Sequence, residues 1–171
     1  ALDDTLRVLA GGRGADHRHR SLRSVLAWSH DLLDEEERRL FRRLAVFAGT
    51  FDLDAAVAVT GGSPGAIADG LGRLADKSLI VRQTDRWRML ETVRAFAEDR
   101  LQAEGDEEFS RTRLRHLGWA MERAGALVQR LEEEGQPATE QAWRSAFDHL
   151  AADLRAALAR SDELGRGRGK D

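Results

Sequence analysis

Arg82, Arg86 and Arg88 surround Asp85 in a short polar stretch. Guanidiniums grip phosphate and carboxylate oxygens through paired N–H donors, so this cluster is the first candidate for a charged contact. The plain reading is a solvated hairpin face. The functional readings are an interdomain contact or a contact to DNA phosphates. The three arginines step by even numbers, so some of them share one face of a hairpin.

Other chemistries find less support. A phosphate loop needs Gly-x-x-x-x-Gly-Lys-Ser/Thr, because backbone N–H groups cradle the phosphates and the Lys and hydroxyl complete the site. The chain has no Gly-Lys-Ser or Gly-Lys-Thr, and Gly11–Gly14 has neither a Lys nor a preceding strand. His17-Arg18-His19 has two imidazoles but no third ligand nearby, and its arginines repel a cation. His30 reads as a partly buried helix residue beside Trp28, and His116 and His149 stand alone on their helices. No Ser, His and Asp occur in a nucleophile-turn context. Glu132-Glu133-Glu134 closes a helix and reads as a solvated run. Absence of Cys excludes disulfides, thiolate zinc sites and thiol catalysis.

Base reading in a major groove asks for Arg, Asn, Gln or Ser on the outer face of a helix. The helix expected at Pro64–Lys77 offers Ala66, Asp69, Gly70, Gly72, Arg73 and Asp76. Asp69 and Asp76 repel phosphates, and with Arg73 and Lys77 the charges cancel. Trp28, Trp87, Trp119 and Trp143 each lie on or beside an apolar stripe and are expected in the core or at a domain interface. One of them exposed in a patch would mark an uncovered interface.

The elements that carry these residues follow from composition and spacing. The chain has 171 residues, 42% hydrophobic and 33% charged, with 27 Lys+Arg against 30 Asp+Glu. That size allows about one domain with an appendage, and burial of roughly 70% of the unfolded surface. Near-balanced charge excludes a generally basic nucleic-acid coat. No uncharged run reaches the ~20 residues that span a bilayer, and no secretory signal opens the chain. A cytoplasmic location fits. The first residue is Ala, which suggests a piece of a longer chain or a processed product. Only Pro64 and Pro137 break a sequence rich in Ala, Leu, Arg and Glu, so a mainly α fold is expected.

Apolar spacing then predicts helices from Ser21 to Leu33, from Asp34 to Gly49, over Leu53–Val59, from Ser63-Pro64 to Lys77, and over Glu91–Gln102. Ser21, Asp34, Asp52 and Ser63 are the expected N-caps. Two short strands flank Gln83-Thr84-Asp85. Three helices followed by a small hairpin form the pattern of a winged helix-turn-helix. A long helix over 107–134, a turn at Gly135-Gln136-Pro137 and a second helix capped by Thr139 form an antiparallel pair, resembling the start of TPR-like helical repeats. The expected division is a linker over 1–20, a winged-helix domain over 21–105, a helical pair over 106–160, and a disordered tail over 161–171.

Five segments together resemble one family. They are Arg20-Ser21-Leu22-Arg23, Trp28-Ser29-His30-Asp31-Leu32-Leu33, Leu40 through Gly49, Leu71 through Leu79, and Arg88 through Arg94. The series is similar to the winged-helix region of the STAND-class, NB-ARC-like ATPases of actinobacteria, regulators often called LuxR-family or SARP-type. Leu154-Arg155-Ala156-Ala157-Leu158 resembles the helical repeats that follow in that family. The resemblance implies a non-catalytic regulatory module that couples nucleotide state to a helical sensor by interdomain packing. It implies ADP/ATP in the parent protein and no cofactor in this stretch. The implied partners are an intramolecular nucleotide-binding domain and helical repeats, with DNA contact as the alternative and no membrane. Where that family often shows Met-His-Asp, this chain has Met89-Leu90-Glu91. Leu90 cannot donate to a phosphate. The triplet reads either as core at a strand end, with Glu91 capping the next helix, or as a switch segment lying against a nucleotide.

Overall fold

The computed structural model describes the backbone of residues 12–134 and 140–167. Its elements are α1 (Gly12–Asp31), α2 (Glu35–Leu44), α3 (Leu53–Thr60), α4 (Pro64–Asp76), β1 (Val81–Gln83), β2 (Arg86–Arg88), α5 (Glu91–Ala103), α6 (Asp106–Glu134) and α7 (Glu140–Gly167).

Local sequence explains most starts. Asp34 accepts from Glu37 N at 2.8 Å while Glu37 accepts from Asp34 N at 3.0 Å, a reciprocal capping box that opens α2. Asp52 accepts from Ala55 N at 2.9 Å and opens α3. Ser63 caps α4, with Pro64 at the first turn. Gly105, at φ 106°, separates α5 from α6.

Three boundaries differ from expectation. Helix α1 already runs over Gly12–Asp31, so Ser21 is not its cap and Gly14 does not break it. A glycine within a helix costs only about 1 kcal/mol relative to Ala, and extending a nucleated helix is cheap. Helix α2 stops at Leu44 rather than Gly49, because Ala45 N turns to Arg42 O and Ala48 N is drawn to Asp153. Helix α7 continues through Gly167, where a disordered tail was expected from 161. The Gly135-Gln136-Pro137 turn and the Thr139 cap lie outside the described residues.

One core joins α2, α3, α4 and α5. Phe41, Leu44, Phe47, Phe51, Leu71, Leu74, Leu79 and Leu101 are fully or almost fully buried in it. At ~1.5–3 kcal/mol for each large apolar side chain, this cluster is the main stabilising element. Strands β1 and β2 pair antiparallel, Val81 opposite Arg88 and Gln83 opposite Arg86. Phe51 adds a bridge: its N–H donates to Trp87 O at 2.9 Å and its O accepts from Trp87 N at 2.8 Å. The order α2, Phe51 bridge, α3, α4, β1, β2 is that of a winged helix-turn-helix. Helix α6 packs on α3 and α5, and α7 packs on α6.

Candidate nucleic-acid and interdomain interface

The hairpin register separates the three wing arginines. Side chains alternate across a pleat. Arg86 and Arg88 therefore share one face, while Arg82 lies opposite with its cross-strand partner Trp87. The Arg82 guanidinium sits 5.8 Å from the Trp87 ring centroid, and its Nε donates to Thr84 O at 3.1 Å. Arg86 turns inward. Its Nε donates to Thr50 Oγ1 at 2.9 Å, Nη2 to Thr50 O at 2.7 Å, and Nη1 to Asp52 Oδ2 at 3.1 Å. Arg86 is thus a strut between the wing and the start of α3, with few donors left for a ligand. Arg82 and Arg88 remain exposed.

Helix α4 stands where such domains place a groove-reading helix. Its exposed residues are Pro64, Gly65, Ala66, Asp69, Gly72, Arg73 and Asp76. The cations of this region are drawn back toward α2. Arg73 Nε donates to Glu37 Oε1 at 3.0 Å, and Lys77 Nζ to Glu37 Oε2 at 2.6 Å. Glu37 is buried. Burial raises its pKa, but the bonds from Lys77, the Asp34 backbone and Arg73 outweigh this and hold it below the ordinary value. Arg73 and Lys77 are thus engaged by Glu37, and Asp69 and Asp76 are the exposed carboxylates of α4.

A cleft of about 400 Å³ opens beside this pair, lined by Arg39, Arg43, Arg73, Arg115 and the Gly61-Gly62 turn. Two of its arginines, Arg43 and Arg73, are engaged in ion pairs. Arg43 holds Glu108 at 2.6 Å and Thr60 O at 2.6 Å, and this contact lowers the Glu108 pKa.

The triplet after the wing divides. Met89 is partly buried against the core, as one expectation held. Leu90 is 45% exposed, so it is not a core residue. It occupies the N-cap of α5 in extended geometry, with no side-chain cap bond. Glu91 is therefore not the cap but the first helical residue. It binds Arg94 at 2.7 Å, which lowers its pKa and raises that of Arg94. Trp28 is the tryptophan exposed in a patch. It is 66% exposed, with Leu22 and Val25 beside it on α1 and Leu32 just past the helix end, all exposed. Trp87 and Trp119 pack against the core, whereas the Trp143 side chain lies outside the described residues. His30 is partly buried, tilted against Phe41 and edge-on to Phe96. Burial and then Arg100 and Arg38 lower its pKa.

Sequence reading missed one pair altogether. His116 is not alone: its Nε2 lies 3.2 Å from Asp153 Oδ1, and both side chains are buried. The same Oδ1 accepts from Ala48 N at 2.7 Å. His116 also stacks on Trp119 and meets Phe47 edge-on. This cluster ties α6 and α7 to the loop after α2. Asp153 falls among the inward positions of α7, the one available sign that a carboxylate there needs a partner. Among the described residues no His and carboxylate group could hold a metal.

Three helices, a bridging residue and a two-stranded wing define a winged helix-turn-helix domain. The family model described as a winged helix-turn-helix domain matches residues 33–102. Over 172 aligned residues, 96% of the chain, it is 42% identical to "Putative HTH-type transcriptional regulator Rv0890c" of Mycobacterium tuberculosis and to "Putative HTH-type transcriptional regulator Mb0914c" of Mycobacterium bovis. It is 40% identical over 128 residues to "Uncharacterized protein Rv0894" of Mycobacterium tuberculosis, covering 68% of this chain and 32% of that protein. The chain spans about a fifth, 19%, of the length of the two named regulators. No solved structure matches it. Among the described residues no helix is long and apolar enough to cross a membrane.

Proposed function

We propose that this chain is a non-catalytic winged-helix module of a transcriptional regulator, acting through protein packing rather than base reading by α4. The observation that carries this reading is the outer face of α4. It presents glycines, Ala66 and two aspartates, while Glu37 retains Arg73 and Lys77. The exposed stripe of Leu22, Val25 and Trp28 on α1, continued by Leu32 just after it, supports it, since such a patch suits a covered interface. The fuller form rests on the sequence resemblance to STAND ATPases. There the packing partner is a nucleotide-binding domain, and the module relays ADP/ATP state to a helical sensor.

DNA binding is the second reading. The winged-helix match and the regulator names of the relatives favour it over the nucleotide relay, and Arg82 and Arg88 supply exposed cations. Titration of labelled duplex DNA with the chain, followed by fluorescence anisotropy at about 50 and 200 mM salt, separates the two. The packing reading expects no salt-sensitive binding. Binding that falls steeply with salt and is lost in the Arg82→Ala/Arg88→Ala variant replaces it with the DNA reading. Arg86 is left intact, because its removal would loosen the wing itself.

A further inference from the structure

Helix α6 carries an apolar seam on the face that the described residues leave open. Leu114, Met121 and Val128 are each more than half exposed and recur every seventh residue. Gly118 and Gly125 alternate with them, and a Cβ at either would meet nothing within 4 Å. The steps 114, 118, 121, 125, 128 alternate four and three, the spacing of a helix–helix seam. The inward side of the same helix is formed by Thr112, His116 and Ala120, all buried.

Scattered exposed apolar residues need no explanation. This pattern differs because it is complementary to itself. When two identical helices pair antiparallel, each position of one seam row meets the other row of its partner. Register 114 against 125 then seats Leu114 over the partner's Gly125 and Met121 over the partner's Gly118, with both contacts repeated about the two-fold axis. One glycine in each of these layers lets the axes approach to the short end of the usual ~8–10 Å. Val128 reaches the end of the seam beside the partner's Arg111. A parallel pair would instead stack glycine on glycine and leave voids.

The flanking charges agree with the antiparallel register. Arg115 and Glu122 lie on the same side of the seam, both exposed. In that register Arg115 faces the partner's Glu122, and Glu122 faces the partner's Arg115. Among the described residues Arg115 is held at home by a long 3.5 Å bond to Thr60 O.

We propose that α6 is a dimerisation helix that binds α6 of a second copy of this chain, antiparallel, through the Leu114–Gly118–Met121–Gly125–Val128 seam. The test is sedimentation velocity on the 171-residue chain from about 1 to 100 µM. The expected result is a concentration-dependent shift from 19.0 kDa toward twice that mass. Met121→Glu and Gly118→Gln are each expected to weaken association at least about tenfold. Gly118→Gln also leaves the monomer's thermal midpoint at or above the parent's, because it replaces an exposed helical glycine. Arg115→Glu and Glu122→Arg alone weaken the dimer, and the double exchange restores it. A chain that stays monomeric at 100 µM overturns the proposal and leaves the seam to a different segment or partner. A dimer indifferent to Met121→Glu and Gly118→Gln overturns it too. Failure of the double exchange to restore association refutes the antiparallel register. None of these readouts depends on DNA binding.

Discussion

Adding one methyl group at Gly70 and at Gly72, two residues apart on α4, tests how closely α2 and α4 approach. A Cβ at Gly72 meets nothing within 4 Å. Gly72→Ala therefore collects the helix-propensity gain, about 0.8–1 kcal/mol. A Cβ at Gly70 would lie 2.6 Å from Leu40 Cδ2, about 1 Å inside ordinary carbon contact. Leu40 is itself buried in the core. Either its side chain leaves a staggered well, at about 0.5–1.5 kcal/mol, or the helices part, at about 1–3 kcal/mol. Offset by the same propensity gain, Gly70→Ala comes out between neutral and about 2 kcal/mol destabilising. The two variants should thus differ by about 1–3 kcal/mol, with Gly72→Ala above the parent. Urea denaturation followed by far-UV circular dichroism measures this, provided the slope m stays constant. Equal gains at both positions would refute the close packing of α4 on α2 at Leu40.

Two further perturbations address the buried polar groups. Asp153→Ala leaves Ala48 N–H and His116 without their partner in a closed core, so a loss of about 2–4 kcal/mol is expected in the same denaturation assay. A loss under about 0.5 kcal/mol would mean the tie is not formed in solution. Acid should destabilise the fold in two stages. His30 has a lowered pKa, so the unfolded chain takes up its proton first and stability falls as pH drops through the ordinary 6.5. Glu37 and Glu108 have lowered carboxyl pKa values, so the stability they contribute is complete above the ordinary 4.5 and is lost as pH falls below it. Unfolding free energy measured from pH 8 to 3 should show both slopes, and Glu37→Gln should flatten the lower one. An unchanged acid limb in that variant would show that Glu37 does not carry its share.

The sequence alone determined most of the local structure. Asp34, Asp52 and Ser63 open α2, α3 and α4 as their spacing requires, because a cap bond spans only three residues and needs nothing from the rest of the chain. The hairpin about Thr84-Asp85 and the inward rows of α2 through α5 were equally legible, since period and turn chemistry are local properties. With them came the winged-helix order.

Tertiary structure decided which charged groups remain available and which apolar ones are covered. Arg86 and Arg88 look alike along the chain, but Arg86 is spent on Thr50 and Asp52, which the fold brings beside it from 34 to 36 residues away. His116 looked isolated because its partner Asp153 is 37 residues distant, across a helix pair whose angle no local pattern encodes. Trp28 lay on an apolar stripe and so was assigned to an interface or the core. Whether a stripe is buried depends on whether another surface arrives to meet it. Among the described residues none arrives for Leu22, Val25 and Trp28 on α1 and Leu32 just after it, nor for the seam of α6. Periodicity reports that a helix has an apolar face, and only long-range packing settles what that face is set against.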